Sequence, residues 1–157
     1  MSNRNASINK KIEKVTIHSD GGSRGNPGPG AGGWFLKDES GNLIDFGGKY
    51  LGEVTNNIAE YEALLDSLKN LSKNFSPNEE SISVDIFLDS ELIVKQINGE
   101  YKVKDQNLKR KFDMVMKALN SYNNYKVQHI ARSENQQADK LVNIILDSRD
   151  VNEKNKT

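Results

Sequence analysis

Hydrophobic and polar residues alternate along five segments of the chain, and this period of two is typical of β-strands. The predicted strands cover residues 15–20, 31–36, 43–51, 81–88 and 125–130. Four further segments repeat hydrophobic residues every three or four positions, which predicts helices. The predicted helices cover residues 58–71, 92–97, 108–119 and 138–146. The order β-β-β-α-β-α-α-β-α predicts an α/β fold with a five-stranded mixed sheet flanked by helices.

The connections between these elements predict how the strands pair. A short turn at residues 38–42 makes the second and third strands antiparallel neighbours. Strand–helix–strand passages are right-handed crossovers between parallel strands, so the first and fourth strands are candidates for a parallel pair. The ends of the chain lack any such pattern. We therefore expect a flexible arm at residues 1–12, one domain at residues 13–147 and a flexible tail at residues 148–157.

Composition excludes several classes of protein. The 157 residues carry 22 basic and 22 acidic side chains, so any binding of a polyanion must come from local patches. The chain has no cysteine, which excludes disulfides, thiolate catalysis and cysteine-type zinc sites. No apolar run approaches the ~20 residues of a membrane span, and the N-terminus has no signal-peptide pattern. We expect a cytoplasmic protein.

A segment rich in glycine and proline, residues 21–30, follows the first predicted strand and predicts a stiff loop that is neither helix nor strand. Residues 28–33 also match the dinucleotide-binding pattern G-x-G-x-x-G, and Glu53 lies about 20 residues further on, where an acid would bind ribose. That motif must open a helix, whereas residues 31–36 have the pattern of a strand. The nucleotide-binding interpretation is therefore disfavoured.

Four acids lie at the ends of predicted elements. Asp20 and Asp89 close the first and fourth strands, while Glu60 and Asp139 lie near the starts of helices. One such acid alone usually serves a turn or the helix dipole. If the two strands are parallel neighbours, however, all four carboxylates converge and repel one another. Two Mg²⁺ or Mn²⁺ ions would relieve this repulsion, and such a pair can clamp the attacking and leaving oxygens of a phosphoryl displacement.

The sequence around these acids resembles type 1 ribonuclease H, the cellular RNA–DNA hybrid nuclease, over roughly residues 15–146. The matching segments, in the family's order, are Asp20–Gly28, Thr55–Leu64, Asp89–Gln96 and Glu134–Asp139. The resemblance implies the RNase H-like fold and hydrolysis of the RNA strand by two-metal-ion in-line attack of water, leaving 5′-phosphate and 3′-hydroxyl ends. It implies two Mg²⁺ or Mn²⁺ ions in the active site, and we expect the protein to be a monomer. The implied catalytic and metal-binding residues are Asp20, Glu60, Asp89 and Asp139.

A hybrid nuclease must recognise the 2′-hydroxyl that distinguishes RNA from DNA. Backbone groups of residues 21–23 and the amides of Asn56 and Asn57 would lie beside the metals and could read it. By resemblance, Asn26 and Thr55 would hold a phosphate of the DNA strand. At a position where relatives often have glutamine, Glu91 can accept a hydrogen bond but cannot donate one. The expected substrate contacts are Gly21, Gly22, Ser23, Asn26, Thr55, Asn56, Asn57, Ser90 and Glu91.

The chain departs from many relatives in the loop before its last acid, where residues 131–134 contain no histidine. Arg132 could contact a phosphate oxygen there, and Glu134 could help to hold or release an ion. Neither His18 nor His129 is expected to be catalytic, since both lie within predicted strands. Slow turnover or a preference for Mn²⁺ would fit the missing loop histidine.

The best basic patch consists of Lys102, Lys104 and residues 109–111. It could contact phosphates of a nucleic acid or simply form a solvated helix face, and the sequence favours neither explanation. We also expect neither the Trp-containing basic protrusion nor the N-terminal hybrid-binding domain of larger relatives. We therefore expect a short form of the enzyme with modest, salt-sensitive affinity.

Two alternatives remain beside hybrid cleavage. The first is a module that binds hybrids without cutting, although the presence of all four acids disfavours it. The second is a related nuclease of the same fold that acts on duplex DNA or on a four-way junction. A fragment of a reverse transcriptase is disfavoured because Met1 and the polar arm have the pattern of a natural start.

Overall fold

The computed structural model describes residues 11–155, with side chains described as far as Asp150. The strands are β1 (Lys14–Ser23), β2 (Gly28–Lys37), β3 (Leu43–Val54), β4 (Ser83–Leu88) and β5 (Asn124–His129). The helices within the described range are α1 (Asn56–Phe75), α2 (Glu91–Ile97), α3 (Gln106–Leu119) and α4 (Gln136–Asn155). Short 3₁₀ turns lie at Glu79–Ser81 and Arg132–Glu134. Most of the arm expected at residues 1–12 lies outside the described residues.

The five strands form one mixed sheet in the order β3-β2-β1-β4-β5. β2 pairs antiparallel with both β1 and β3, whereas β4 pairs parallel with both β1 and β5. The predicted α/β architecture, the antiparallel hairpin and the parallel pairing of the first and fourth strands are confirmed. The parallel pair matters most, because it brings the carboxyl ends of β1 and β4 side by side.

Helices cover both faces of the sheet. Gly32 faces α1 at Ala63, and its neighbour Gly33 faces α4 at Leu141. Since successive residues of a strand point to opposite faces, α1 and α4 lie on opposite sides. The main core lies between the sheet and α1, with α3 packed beside it. A smaller cluster joins Val142 and Leu146 of α4 to Ala31 of β2.

The glycine-rich segment is largely strand, and the prediction of a loop over residues 21–30 is wrong. β1 continues to Ser23 and β2 begins at Gly28, so Gly21 pairs with Gly32. A side chain at Gly21 would overlap the backbone of Ala59 in α1. Glycine therefore permits the close approach of helix to strand here. Because residues 28–37 are strand, no helix follows the G-x-G-x-x-G pattern, which agrees with its rejection as a nucleotide site.

The last helix is longer than its hydrophobic pattern indicates. The flexible tail expected at residues 148–157 is helical as far as Asn155, where the described chain ends. Arg24 forms ion pairs with Asp147 and Asp150, and Arg149 lies over the ring of Tyr50. These contacts come from distant parts of the chain, so the local pattern gave no sign of them. No helix among residues 11–155 combines the length and the hydropathy that crossing a membrane requires.

We predict that Gly21→Ala lowers the free energy of unfolding by about 1–3 kcal/mol or more, because its methyl group would overlap the backbone of α1. Urea denaturation measures this change. Gly22→Ala is the matched control, since nothing lies within 4 Å of a Cβ at that position. Equal unfolding free energies for the two variants would contradict the close approach described here.

Candidate active site

Four elements deliver the four acids to one edge of the sheet. Asp20 lies in β1, and Asp89 directly follows β4. Glu60 lies in α1, whose first turn is capped by the Thr55 hydroxyl accepting the Ile58 N–H at 3.2 Å. Asp139 lies in the first turn of α4. The convergence expected from sequence is therefore present in the structure.

The carboxylates are close together and mostly shielded from water. One oxygen each of Asp20, Glu60 and Asp89 lies within 4.8 Å of the other two. The carboxyl of Asp139 lies beside that of Asp20, within reach of a hydrogen bond. Asp20 is 4% exposed and Glu60 is 9% exposed. Within residues 11–155, the buried Oε2 of Glu60 has no hydrogen-bond partner.

This crowding changes the protonation of the site. Burial, together with the smaller effects of the charges of Asp89 and Asp139, raises the pKa of Asp20 to about 7. The nearby cation of Arg132 acts in the opposite direction on the same pKa. Burial also raises the pKa of Glu60 well above its usual range, with contributions from Asp20 and Asp89. Without a counter-cation, the cluster therefore retains protons near neutral pH.

The donor set suits a hard divalent cation. Every candidate ligand atom is a carboxylate oxygen, the type of ligand that Mg²⁺ and Mn²⁺ prefer. A divalent ion would remove the mutual repulsion and give the unpartnered oxygen of Glu60 a partner. The cluster can thus bind divalent metal.

A cavity opens over the four acids and brings most of the expected substrate contacts to them. Gly21, Gly22, Ser23, Asn56, Asn57, Ser90 and Arg132 line it together with the acids. Ser23 donates from both its backbone N–H and its hydroxyl to Oδ1 of Asn56, at 3.0 and 3.1 Å. The β1–β2 turn and the start of α1 are therefore joined at the rim of this cavity.

Six expected residues do not line the cavity. They are Asn26, Thr55, Glu91, Glu134, Lys102 and Lys104. The side chain of Asn26 accepts the backbone N–H of Asn56 at 3.0 Å, while Thr55 lines a neighbouring groove with Arg110. Glu91 pairs with Lys95 at 2.9 Å, so its carboxylate is directed along its own helix.

The two histidines differ in their surroundings. His18 stacks on Phe87 with ring centroids 5.0 Å apart, and burial lowers its pKa, which agrees with a packing role. His129 is the last residue of β5 and is exposed. The expected position of His129 in the fifth strand is confirmed, where it pairs with Leu88 of β4.

Two residues at the site had no role in the sequence interpretation. The buried Asn135 donates from Nδ2 to the Ser19 carbonyl at 2.9 Å and to Oδ2 of Asp89 at 3.3 Å. It therefore ties the start of α4 to β1 and positions Asp89. Arg24 lines the cavity from the turn between β1 and β2. Its sequence signal was a single cation within a segment otherwise rich in glycine.

Comparison with known proteins gives consistent matches over most of the chain. Residues 18–145 match the family model described as reverse transcriptase-like. A ribonuclease HI of Halobacterium salinarum is 36% identical over 134 residues, which are 85% of this chain and 65% of that protein. A bifunctional protein of Mycobacterium tuberculosis is 32% identical over 136 residues, which are 86% of this chain. The chain spans only 36% of the length of that second relative.

A solved structure with high similarity is that of LC11-RNase H1, isolated from compost by a metagenomic approach. It is 42% identical with a TM-score of 0.82, and the match covers 88% of this chain and 99% of that one. The same compost protein has been crystallised in complex with an RNA/DNA hybrid, and that structure also has a TM-score of 0.82.

The pKa of Asp20 predicts a specific pH dependence of stability. Its folded pKa of about 7 lies above the ordinary 3.8, so the folded protein binds more protons than the unfolded chain between those values. The unfolding free energy therefore decreases as pH rises through that range. Asp20→Asn cannot ionise, so in metal-free buffer its stability advantage should grow to roughly 1–3 kcal/mol by about pH 8.

Urea denaturation with a chelator, repeated between about pH 5 and pH 8, measures this advantage. Adding Mg²⁺ should reverse the order, because the ion stabilises the four-carboxylate protein more than the variant. Asp85→Asn is the matched control, since Asp85 lies in the neighbouring strand β4 and pairs with Lys14. A pH-independent difference for Asp20→Asn would contradict the assignment.

Proposed function

Because the chain belongs to the type 1 ribonuclease H family, within the wider reverse transcriptase-like family, we propose that it is an endonuclease that hydrolyses the RNA strand of RNA–DNA hybrids. The observation that carries this proposal is the convergence of oxygens from Asp20, Glu60 and Asp89 within 4.8 Å, with Asp139 beside them. The hybrid bound to LC11-RNase H1 supports the choice of substrate.

We assign Asp20, Glu60, Asp89 and Asp139 as the ligands of two Mg²⁺ or Mn²⁺ ions. When bound, these ions would supply the activation of water and the neutralisation of charge that in-line phosphoryl displacement needs, giving 5′-phosphate and 3′-hydroxyl ends. The chain holds its ligands ready for them. Asn135 orients the carboxylate of Asp89, and the charge of Arg132 favours the ionised form of Asp20.

The rim of the cavity provides the groups that distinguish RNA from DNA. Backbone groups of Gly21, Gly22 and Ser23 lie beside the acids, as do Asn57 and Ser90. Oδ1 of Asn56 accepts from Ser23, so its Nδ2 group remains to donate to a 2′-hydroxyl. These groups meet the hydroxyl only when RNA occupies the scissile strand.

The uncut DNA strand is assigned to the neighbouring groove. Thr55 and Arg110 line that groove together with Pro27, and the preceding residue, Asn26, accepts the backbone N–H of Asn56. A phosphate there would meet hydroxyl, amide and guanidinium donors. Lys102 and Lys104 are exposed and are assigned only a general, salt-sensitive attraction. Glu91 and Glu134 keep proposed accessory roles at the edge of the site, as a hydroxyl acceptor and an ion-handling residue respectively.

The remaining proposals concern the setting of the activity. We assign the protein to the cytoplasm, where hybrids made during transcription and replication would be accessible to it. We assign a monomeric active unit, because one chain supplies all four acids and the surrounding rim.

The proposal predicts that the protein cuts the RNA strand of a labelled hybrid in the presence of Mg²⁺ or Mn²⁺. Asp20→Asn should reduce the rate by more than about 100-fold, because it removes a ligand shared by the cluster. Asp85→Asn removes a carboxylate from an ion pair in β4 and should leave the rate nearly unchanged. Gel analysis of the end-labelled RNA measures both rates and the chemistry of the ends.

Two other results would point elsewhere. Binding of the hybrid without cleavage would indicate a binding module, and preferential digestion of duplex DNA or of a four-way junction would indicate a different nuclease of the same fold. Equal cleavage by Asp20→Asn and the unaltered protein would remove the proposed active site.

A further inference from the structure

Arg24 lines the cavity that contains the four acids. It lies in the turn between β1 and β2. Its backbone N–H donates to the Pro29 carbonyl at 2.8 Å, and the preceding residue, Ser23, is held by Asn56. The base of the Arg24 side chain is therefore anchored at the rim.

The far end of α4 holds the guanidinium group. Nη1 contacts Oδ2 of Asp150 at 2.7 Å, and Nη2 contacts Oδ1 of Asp147 at 2.6 Å. Nη2 also lies 3.4 Å from Oδ1 of Asn143. Two anionic oxygens on two guanidinium nitrogens form the arrangement that a phosphate group also presents to arginine. The two aspartates thus occupy Arg24 as a phosphate would.

These ion pairs are weak enough to exchange. The side chains of Arg24, Asp147 and Asp150 are 38%, 69% and 48% exposed. Pairs that are this exposed contribute only about 0–1 kcal/mol each. A long, anchored side chain held by such contacts can therefore turn to another anion at small cost.

The cavity needs such a cation. Two divalent ions would only balance the charge of its four carboxylates, so attraction of a phosphodiester needs further cations. Arg24 and Arg132 are the cationic side chains that line the cavity. Arg132 lies close enough to Asp20 to act on its pKa. Arg24 is directed instead toward the end of α4, where the carboxylates of Asp147 and Asp150 neutralise its charge.

We propose that Arg24 binds a backbone phosphate of the nucleic-acid substrate, and that Asp147 and Asp150 compete with that phosphate for its guanidinium group. The inference depends on the proposed function only in taking an RNA–DNA hybrid as the ligand. The two aspartates at the end of α4 would therefore lower the affinity for substrate. The inference also assigns Arg24 a role that neither the motif nor the metal cluster requires.

The test compares affinities for a labelled, blunt-ended hybrid by fluorescence anisotropy in Mg²⁺, with Asp20→Asn present throughout to suppress cutting. The variant that combines Asp147→Asn and Asp150→Asn should bind the hybrid roughly 3- to 10-fold more tightly at low salt. The reason is that Arg24 is released and two negative charges that repel the hybrid are removed. The slope of log affinity against log salt should steepen by about one. Arg24→Gln should weaken binding and should abolish most of the gain when all three changes are combined.

The matched control is Asp45→Asn with Asp85→Asn, which removes two carboxylates from β3 and β4 without touching Arg24. An equal gain in this control, or a gain that persists with Arg24→Gln, would show general charge repulsion and overturn the proposal. Weaker binding by the Asp147/Asp150 variant would also overturn it, since the aspartates would then be positioning the loop.

Cleavage of the hybrid tests the proposed function, whereas affinity for the hybrid tests this inference. If the protein without Asp20→Asn binds hybrid but does not cut it, the proposed function fails while the affinity comparison still decides the role of Arg24. If none of the variants binds the hybrid, the inference is overturned. Circular dichroism melting of each variant confirms that exposed substitutions have left the fold intact.

Discussion

Repulsion among carboxylates held close together is the constraint on which the site depends. Three of the acids lie within 4.8 Å of one another, largely out of water, and the fourth lies beside Asp20. Such an arrangement raises the energy of the ionised protein and raises the pKa of Asp20 and Glu60. The fold must therefore supply enough stability elsewhere to hold the acids in place.

That stability comes from packing on both sides of the sheet. The parallel pairing of β1 with β4 sets the separation of Asp20 and Asp89. The absence of a side chain at Gly21 lets α1 approach β1, which brings Glu60 into the cluster. Asn135 then ties the start of α4 to β1 and to Asp89. Each contact acts on a different element, so the geometry of the acids depends on the whole domain.

The same domain balances the charge of its substrate site with few cations. The chain carries equal numbers of acidic and basic residues, so affinity for a polyanion has to arise at particular positions. Arg132 acts on Asp20 directly, whereas Arg24 is held by carboxylates at the end of α4. Under the proposed function the site binds divalent ions as well as phosphates, and Arg24 would then exchange its aspartate partners for a phosphate.

The sequence by itself determined the order of the elements, the antiparallel hairpin and the four acids, because periodicity and turn residues act over neighbouring positions. Only the tertiary structure decided that Gly21 lies in a strand, that α4 extends to Asn155, and that Arg24 and Asn135 belong to the site. Those features depend on contacts between segments far apart in the chain. A local pattern does not record such contacts, since their energy exists only once the segments have been brought together.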